Sequence, residues 1–321
     1  MIFISWAEDC SRSDGLASEL GGKSYMIYSP FWGSNPYTIF FKYISQSFKT
    51  LSLLLKLRPR VIFVMTPPII ACCVIWLYCR IAGARYVIDA HTAAFLLPIW
   101  KKTIFLHRFF SRAAATTIVT NTYLEEIVRS WGANVTLVPD VPILLEQYGT
   151  TDLGEGHHMV FVSTFTADEP LEIFMEAAAR VPDVQFYVTG SIKDCPLKIH
   201  EARPDNVIFT DFLSKREYAR YINSATAAIC LTTLDHAMQR GAYEAVYAGT
   251  PVVTSNFEIL RDEFPQGAVH VDSEVDSIVE GIEKMRNGAE RYKLEVKELR
   301  DKKLERSSRI MSELATEFQA G

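Results

Sequence analysis

The sequence predicts an α/β protein built from two domains, each with a parallel β-sheet. Strand-length apolar runs alternate with helix-length segments from one end of the chain to the other, as stacked βα units require. The alternation begins again after a stretch rich in proline and glycine at 139–158. The 321 residues also suit two domains of about 150 residues each. The predicted architecture is therefore two Rossmann-like domains with a cleft between them.

Each half of the chain contributes one series of predicted elements. In the first half we predict strands at 2–6, 24–28, 61–65, 86–88, 117–119 and 136–138, and helices near 14–20, 37–57, 69–82, 102–113 and 121–131. In the second half we predict strands at 159–163, 185–188, 207–209, 227–231, 251–254 and 268–271, and helices near 170–180, 215–223, 238–248 and 275–287. A charged helical tail then runs to Glu317, and a solvated helix lying across the domains is its simplest interpretation.

Charge is divided unevenly between the two halves. Residues 1–150 hold 14 Lys+Arg against 9 Asp+Glu (+5), and residues 151–321 hold 19 against 29 (−10), which sums to the net charge of −5. This asymmetry indicates either a first domain that faces phosphates or an anionic membrane, or an ordinary scatter of surface charge.

The cysteines and the apolar segments indicate in which cellular compartment the protein is expected. None of the six cysteines forms a CxxC pair and no secretion signal opens the chain, so we expect reduced thiols in a cytoplasmic protein. Residues 61–79 are uncharged over a length close to that of a membrane span. Pro67 and Pro68 interrupt them, however, and favour a buried strand followed by a core helix.

The strongest functional signal lies at residues 231–254. A predicted strand ends at Leu231, and a helix is predicted to start near Met238. The free N–H groups at this helix start would bind a diphosphate; they belong to Met238, Gln239, Arg240 and Gly241. Glu244 follows on the same helix, and its two oxygens match the two hydroxyls of a ribose. A helix carboxylate without a ligand is the alternative for Glu244.

This segment resembles the nucleotide-sugar-binding half of GT-B glycosyltransferases, especially the bacterial members of the retaining family 4. The run from Glu244 to Val253 matches the second glutamate of the family's E-x7-E motif and the Pro-Val-Val strand after it. The first glutamate, which contacts the transferred sugar, is replaced by His236. The resemblance implies an acceptor-binding domain at 1–145, a donor-binding domain at 155–290 and a charged helix at 291–321. It also implies a nucleoside diphosphate sugar as the donor, with a UDP-sugar favoured, and no other cofactor.

Other segments of the second half follow the same family pattern. The loop after the first strand would face the leaving diphosphate, but it offers Ser163 and Thr164 where the family has an arginine and a lysine. Arg240 is our candidate for the missing charge; a solvent-facing arginine is the alternative. By the resemblance, further donor contacts come from two later strand ends, with Phe212 as an alternative core residue: Gly190, Ser191, Asp211, Phe212 and Leu213.

In the first half a predicted strand delivers Asp89 and His91 to the edge of the sheet. The family often carries a histidine here that faces the transferred sugar, and an imidazole of near-neutral pKa donates or accepts protons. His91, Asp89 and Arg240 are the candidate catalytic residues. Arg12 and Gly15, in the segment after the first strand, are weaker candidates on the acceptor side.

Residues 38–57 predict an amphipathic helix. Its apolar stripe is Phe40, Ile44, Phe48, Leu51 and Leu55. Basic and aromatic residues nearby, at 58–60 and 100–112, suggest docking on the inner face of a membrane, where a lipid-linked sugar would be the acceptor. Ordinary packing between helices is the alternative.

Several function classes are excluded or kept as competitors. A Gly-x-Gly-x-x-Gly motif is absent, which argues against a nicotinamide dehydrogenase. We find no Asp-x-Asp or metal-ligand motif and no nucleic-acid-binding module, so we predict neither a divalent metal nor a nucleic-acid partner. A nucleotide-sugar epimerase and an inactive protein that recruits a partner at the membrane stay as alternatives to the sugar transferase.

Overall fold

The computed structural model describes residues 1–30 and 38–319 of the chain. It divides the chain into two units. The first unit is Met1–Val141 with Ser307–Gly321, and the second unit is Pro142–Arg306. The predicted start of the second helix, at residue 37, lies outside the described residues.

The first unit contains a six-stranded parallel sheet in the order β2-β1-β3-β4-β5-β6. The strands are β1 (Ile2–Ser5), β2 (Lys23–Met26), β3 (Val61–Thr66), β4 (Arg85–Ala90), β5 (Thr116–Val119) and β6 (Val135–Leu137). The helices are α1 (Ser11–Glu19), α2 (Ile39–Leu57), α3 (Ile70–Ala82), α4 (Ala93–Leu96), α5 (Pro98–Lys101), α6 (Ile104–Ala113) and α7 (Thr122–Ser130). One face of the sheet packs on α2, α3, α6 and α7, and α1 lies on the other.

The second unit contains another six-stranded parallel sheet, in the order β12-β11-β10-β7-β8-β9. The strands are β7 (His157–Phe161), β8 (Val184–Thr189), β9 (Val207–Asp211), β10 (Ala227–Cys230), β11 (Val252–Ser255) and β12 (Ala268–Val271). The helices are α8 (Leu171–Ala179), α9 (Leu197–Glu201), α10 (Lys215–Ser224), α11 (Arg240–Tyr247), α12 (Glu258–Glu263), α13 (Val275–Asn287) and α14 (Ala289–Gln319). Helices again cover both faces.

Both sheets have the order of doubly wound α/β domains, in which the strand order reverses once. The reversal lies between β1 and β3 in the first sheet and between β7 and β10 in the second. Loops that leave the two central strands at a reversal run to opposite faces, and the gap between them at the carboxyl edge is where such sheets bind ligands. The predicted α/β fold with two Rossmann-like domains is confirmed, and every predicted strand is present. The helices that the sequence did not predict, α4, α5, α9 and α12, are too short to show a helical period.

The charged tail differs from its prediction as a solvated helix at 291–321. α14 is one helix from Ala289 to Gln319, and its two ends belong to different units. Val296 and Leu299 are buried in the core of the second unit, and Met311 and Leu314 are buried in that of the first. In each unit the two apolar positions lie three residues apart among the charged residues, so α14 has a buried side at both ends.

The uncharged segment at 61–79 forms β3 and most of α3, as predicted. Throughout residues 1–30 and 38–319, no helix combines the length and apolar character needed to cross a membrane. All six cysteines have free thiols.

We expect replacement of Gly281 by alanine to destabilise the second unit. A Cβ atom at this position in α13 would overlap Val271 Cγ1 on β12, so the helix and the strand would have to separate. Over-packing of this kind costs about 1–3 kcal/mol. The urea midpoint measures the loss, and Glu280→Ala on the exposed side of α13 is the control. Equal midpoints for the two variants would contradict this account of the packing.

Candidate functional site

In the second unit, α11 starts at the carboxyl edge of the sheet, beside the reversal between β7 and β10. Its first residue is Arg240, and Gln239 is extended before it. The predicted start near Met238 is therefore wrong by about half a turn, because Gln239 keeps strand-like dihedral angles and the helix cannot form before it. The outward N–H groups of the first turn belong to Arg240 and Gly241, whereas Met238 and Gln239 precede the helix.

Gly241 lets α11 start directly against the ends of β7 and β10. A Cβ atom on this residue would lie 2.7 Å from Val162 Cγ1 and 3.2 Å from Cys230 Sγ. Only glycine therefore allows the helix start to come this close to the two central strands. The close approach fixes where the free amides and the positive end of the helix dipole lie.

Glu244 is one turn further along α11 and is held by two donors. Its Oε1 accepts a hydrogen bond from Arg240 Nε at 3.0 Å, and its Oε2 accepts one from the Tyr218 hydroxyl at 2.8 Å. Burial and the neighbouring Glu244 carboxylate raise the pKa of Tyr218 well above its ordinary value, so the phenol stays a donor. Arg240 Nη2 is buried and has no hydrogen-bond partner among the described residues. The arrangement fixes the carboxylate and leaves one guanidinium nitrogen for a further acceptor.

The loop after β7 is folded around a carboxylate that the sequence analysis did not single out. Glu169 accepts hydrogen bonds from the Ser163 hydroxyl and from both the N–H and the hydroxyl of Thr164, and further ones from Phe165 and Thr166. The hydroxyls predicted to contact phosphate thus already bind an anion of the protein. A glutamate six residues after a serine is too common a spacing to have been recognised as this contact.

Further contacts tie the loops at this edge to one another. Asp168 accepts from Thr232 Oγ1 at 2.8 Å, and Asp211 accepts from the Ile192 N–H at 2.9 Å. A Cβ atom on Gly190, which has a φ of +112°, would lie 2.7 Å from the Ser163 carbonyl oxygen. The loops that follow β7, β8, β9 and β10 therefore form one connected rim.

Backbone strain is concentrated in the same rim. Three residues other than glycine have left-handed φ angles there: Phe165 at 57°, Asp211 at 60° and His236 at 62°. Arg58, which caps α2 in the first unit, is the other such residue within 1–30 and 38–319. Side chains in this region cost free energy and persist where surrounding contacts fix them, which is common at binding sites.

The residues predicted to line a base pocket lie at the end of β9 and just after it. Phe212 is 81% exposed, which contradicts its alternative as a core residue. Asp211 is exposed, Leu213 is half-buried, and hydrogen bonds from the N–H groups of Ile192 and Phe212 lower the pKa of Asp211. Ser191, next to Gly190, is half-buried at the neighbouring strand end. An exposed phenyl ring at a strand end offers a flat apolar face on which a base can stack.

The first unit holds a buried ion-pair cluster near its own strand reversal. Asp89, the fifth residue of β4, accepts hydrogen bonds from Arg12 Nε at 3.0 and 3.3 Å. Arg12 also donates to the Val138 carbonyl oxygen and lies 3.8 Å from Asp140. Burial opposes the charge of Asp89, yet Arg12 and His91 lower its pKa to about 2. The carboxylate is therefore ionised throughout the physiological range.

His91 follows β4 and lies beside this cluster, with Nε2 3.6 Å from Asp89 Oδ2. Burial alone would lower its pKa, but the neighbouring Asp89 carboxylate and Cys10 thiol raise it to about 9. This direction departs from the near-neutral pKa assumed from the sequence, because the anionic partner became known only from the fold. A raised pKa favours the imidazolium form of His91, which donates hydrogen bonds.

Two candidate residues on the acceptor side, Arg12 and Gly15, lie in surroundings that differ from the predicted ones. Arg12 is 4% exposed and serves Asp89, so it positions that carboxylate and does not present its guanidinium to solvent. Gly15 lies inside α1 and not in a loop, and a Cβ atom there would lie 2.8 Å from Val141 Cγ1. Its role is close packing of α1, which a single glycine in the sequence could not reveal.

NMR titration should find His91 charged up to a pH of about 9 and His107 neutral down to about 4. Burial lowers the pKa of His107, which makes it an internal contrast. Because the folded pKa of His91 lies above the ordinary value of about 6.5, its contribution to stability is complete below pH 6.5 and disappears as the pH rises through about 9. The stability difference between wild type and His91→Gln should shrink over that range. Titration of His91 at its ordinary pKa would contradict the cluster.

The comparisons with known proteins agree with this geometry. Residues 156–287 match the family model described as glycosyl transferases group 1. No curated protein sequence matches the chain. Among solved structures, sucrose-phosphate synthase from Thermosynechococcus elongatus has a TM-score of 0.79 at 15% identity, with 99% of both chains covered.

Two further structures have the same fold at low identity. Anabaena Alr3699/HepE in complex with UDP and glucose has a TM-score of 0.73 at 13% identity and covers 99% of this chain and 92% of its own. A glycosyltransferase from Rickettsia africae has a TM-score of 0.69 at 10% identity, with 98% and 97% covered. The family match supports glycosyl transfer as the general activity, and the structural likenesses show the fold. The chain has the GT-B fold, and its residues 156–287 carry the match to the glycosyl transferases group 1 family.

Proposed function

We propose that this chain transfers a sugar, of hexosyl type, from a nucleoside diphosphate sugar to an acceptor glycan. The observation that carries the proposal is the start of α11: free amides, the partly unpaired Arg240 and the fixed carboxylate of Glu244 lie together beside the strand reversal. The family match covers this segment. A UDP-sugar is our favoured donor, because the solved structures with this fold include complexes of HepE with UDP and with UDP-glucose.

The diphosphate is proposed to bind at the first turn of α11. The amides of Arg240 and Gly241 and the helix dipole favour an anion at this place. Arg240 Nη2 adds a charged donor that still has bonding capacity. Because the loop after β7 contributes Glu169 and no cation, Arg240 is the side chain that we assign to the charge of the leaving diphosphate.

The ribose is proposed to bind Glu244. Each carboxylate oxygen accepts one hydrogen bond within the protein, from Arg240 or from Tyr218, and retains a second lone pair. Tyr218 and Arg240 thereby orient the carboxylate so that both oxygens can accept from a vicinal diol. Phe212 is the proposed stacking surface for the base, and His236 remains our candidate for contact with the transferred sugar.

The remaining parts of the proposal rest on resemblance or on charge. We infer that configuration is retained and that the transfer needs no metal, because amides and Arg240 provide the phosphate contacts. His91, as a cation positioned by Asp89, is proposed to donate a hydrogen bond to the transferred sugar or to the acceptor. We infer a cytoplasmic enzyme of polysaccharide biosynthesis at the inner face of a membrane, with an acceptor that is a glycan or a lipid-linked sugar.

Titration calorimetry with UDP, GDP and ADP tests the donor site, and NMR of UDP-sugars with and without an added acceptor tests the reaction. We expect one nucleoside diphosphate to bind and its sugar to be turned over only slowly without an acceptor. Fast conversion of the donor alone into a stereoisomer would favour an epimerase. Failure of every nucleoside diphosphate to bind would refute the proposed function.

Glu244→Gln should weaken nucleotide binding about 10- to 100-fold, because the neutral amide loses charge-assisted hydrogen bonds to the ribose. Calorimetry measures the change, and circular dichroism checks the fold. The control is Glu176→Gln, which breaks another ion pair of the same i,i+4 spacing, between α8 and its C-cap residue Arg180. Equal affinity of the two variants would argue against a contact between Glu244 and the ribose.

Arg240→Ala should lower kcat/KM about 100-fold, since it removes a donor aimed at charge that develops on the leaving diphosphate. Arg240→Lys should recover part of this loss because it restores the charge without the guanidinium geometry. Arg180→Ala is the matched control. Full turnover by Arg240→Ala would remove this residue from the mechanism.

A further inference from the structure

Helix α2 exposes its apolar stripe and does not bury it. The five stripe residues are Phe40, Ile44, Phe48, Leu51 and Leu55, and they are between 37% and 67% exposed. Since they recur at steps of three and four residues, they lie along one side of the helix. The explanation by ordinary packing is therefore contradicted for this stripe.

The opposite side of α2 packs on the first unit through the buried Leu54 and through two polar residues. Gln46 and Thr50 are fully buried. Gln46 Nε2 donates to the Ile27 carbonyl oxygen at 2.7 Å, and Thr50 Oγ1 accepts from Trp6 Nε1 at 2.9 Å. These directional contacts fix the rotation of the helix, so the apolar side is held outward and cannot turn into the core.

The neighbouring helices extend the apolar surface. α3 packs against α2, and α6 packs against α3. Leu77 and Ile81, one turn apart on α3, are 54% and 80% exposed, and Phe105 and Phe109 on α6 are 65% and 51% exposed. We call the exposed side chains of these three helices the α2–α3–α6 surface. Single exposed apolar residues are ordinary, but a surface of this extent indicates a partner.

The charges around this surface have one sign. Residues 20–124 contain a single acidic residue, Asp89, which is buried and paired with Arg12. The same stretch contains twelve basic residues: Lys23, Lys42, Lys49, Lys56, Arg58, Arg60, Arg80, Arg85, Lys101, Lys102, Arg108 and Arg112. Eleven of them are exposed: five lie on α2, α3 and α6, one lies on α5, and five lie in the connections or in β2 and β4.

We infer that the α2–α3–α6 surface docks on an anionic lipid bilayer. Its aromatic and aliphatic side chains would enter the interfacial layer, and the basic residues among them would contact the headgroups. The combination of apolar and basic side chains favours a bilayer over a nucleic acid. A phosphate backbone would bind the basic residues, but it would leave the broad aliphatic surface exposed to water. The inference assigns the surface behind the membrane location proposed above, and it does not depend on the proposed sugar transfer.

Vesicle flotation tests the inference directly. The protein should float with vesicles of phosphatidylglycerol and phosphatidylcholine, bind vesicles of phosphatidylcholine alone much less, and be released from the anionic vesicles by high salt. No flotation with anionic vesicles at low salt would overturn the proposal.

Two double variants separate the apolar from the charged contribution. Phe48→Ser with Leu55→Ser should weaken binding to anionic vesicles at least about tenfold, through the apolar area lost. Arg108→Glu with Arg112→Glu should weaken it about 25-fold or more, at roughly fivefold per cation lost from the surface.

Matched controls come from α14 in the second unit. Leu294→Ser removes an apolar side chain that is 66% exposed, and Lys293→Glu with Lys297→Glu reverses two exposed charges at the same spacing as Arg108 and Arg112. Both controls should float like the wild type. All variants should keep their melting temperature and their nucleotide affinity, which distinguishes lost docking from misfolding and from a failed donor site.

The outcomes are separable. If the α14 variants lost vesicle binding as much as the variants of the first unit, the attraction would be unspecific, and the assignment of the surface would be overturned. Tight binding of a DNA duplex that Arg108→Glu with Arg112→Glu abolishes, and that Phe48→Ser with Leu55→Ser leaves unchanged, would assign the surface to a nucleic acid. If both double variants of the first unit lose vesicle binding and keep nucleotide binding, the result supports docking on a bilayer.

Discussion

The site in the second unit depends on one steric constraint, the contact of Gly241 with the ends of β7 and β10. A helix that starts this close to two central strands brings its free amides to the point where the strand order reverses. Glu244 and Arg240 then follow one another by one helical turn, so their ion pair is set by the same placement. Any side chain at position 241 would push the helix start outward and move all three groups together.

Carboxylates organise both units, and each is held by several donors. Glu244 is fixed by Arg240 and Tyr218, Glu169 by the hydroxyls and amides of its own loop, and Asp89 by Arg12 and His91. Buried or half-buried anions need such partners because desolvation otherwise makes the charge costly. The partners are changed by the carboxylates that they bind. His91 becomes a lasting cation, and the loop after β7 becomes an anion site that the protein fills itself.

In the first unit, a cluster of charged side chains is buried and several apolar side chains are exposed. Its charge cluster is buried, and Arg12 and Asp89 are almost inaccessible, whereas α2, α3 and α6 present phenyl and aliphatic side chains. Gln46 and Thr50 show how this is stabilised, since their hydrogen bonds act together with the buried Leu54 to attach α2 to the unit. A helix attached in this way can keep its apolar side for a partner outside the protein.

The sequence by itself determined the alternation of strands and helices and the position of every strand, and it predicted a role for Glu244, because these follow from local periodicity and a contiguous motif. It did not determine the first residue of α11, the donors around Glu169, the burial of Arg12 or the pKa of His91. Those depend on residues far apart in the chain, such as the pairs Arg12 with Asp89 and Tyr218 with Glu244. The period of α2 showed that the helix has two sides, but only tertiary contacts with Trp6 and Ile27 decided which side faces the core. Local sequence patterns therefore determine where strands and helices form. Long-range contacts determine how the helices are oriented and how the side chains ionise.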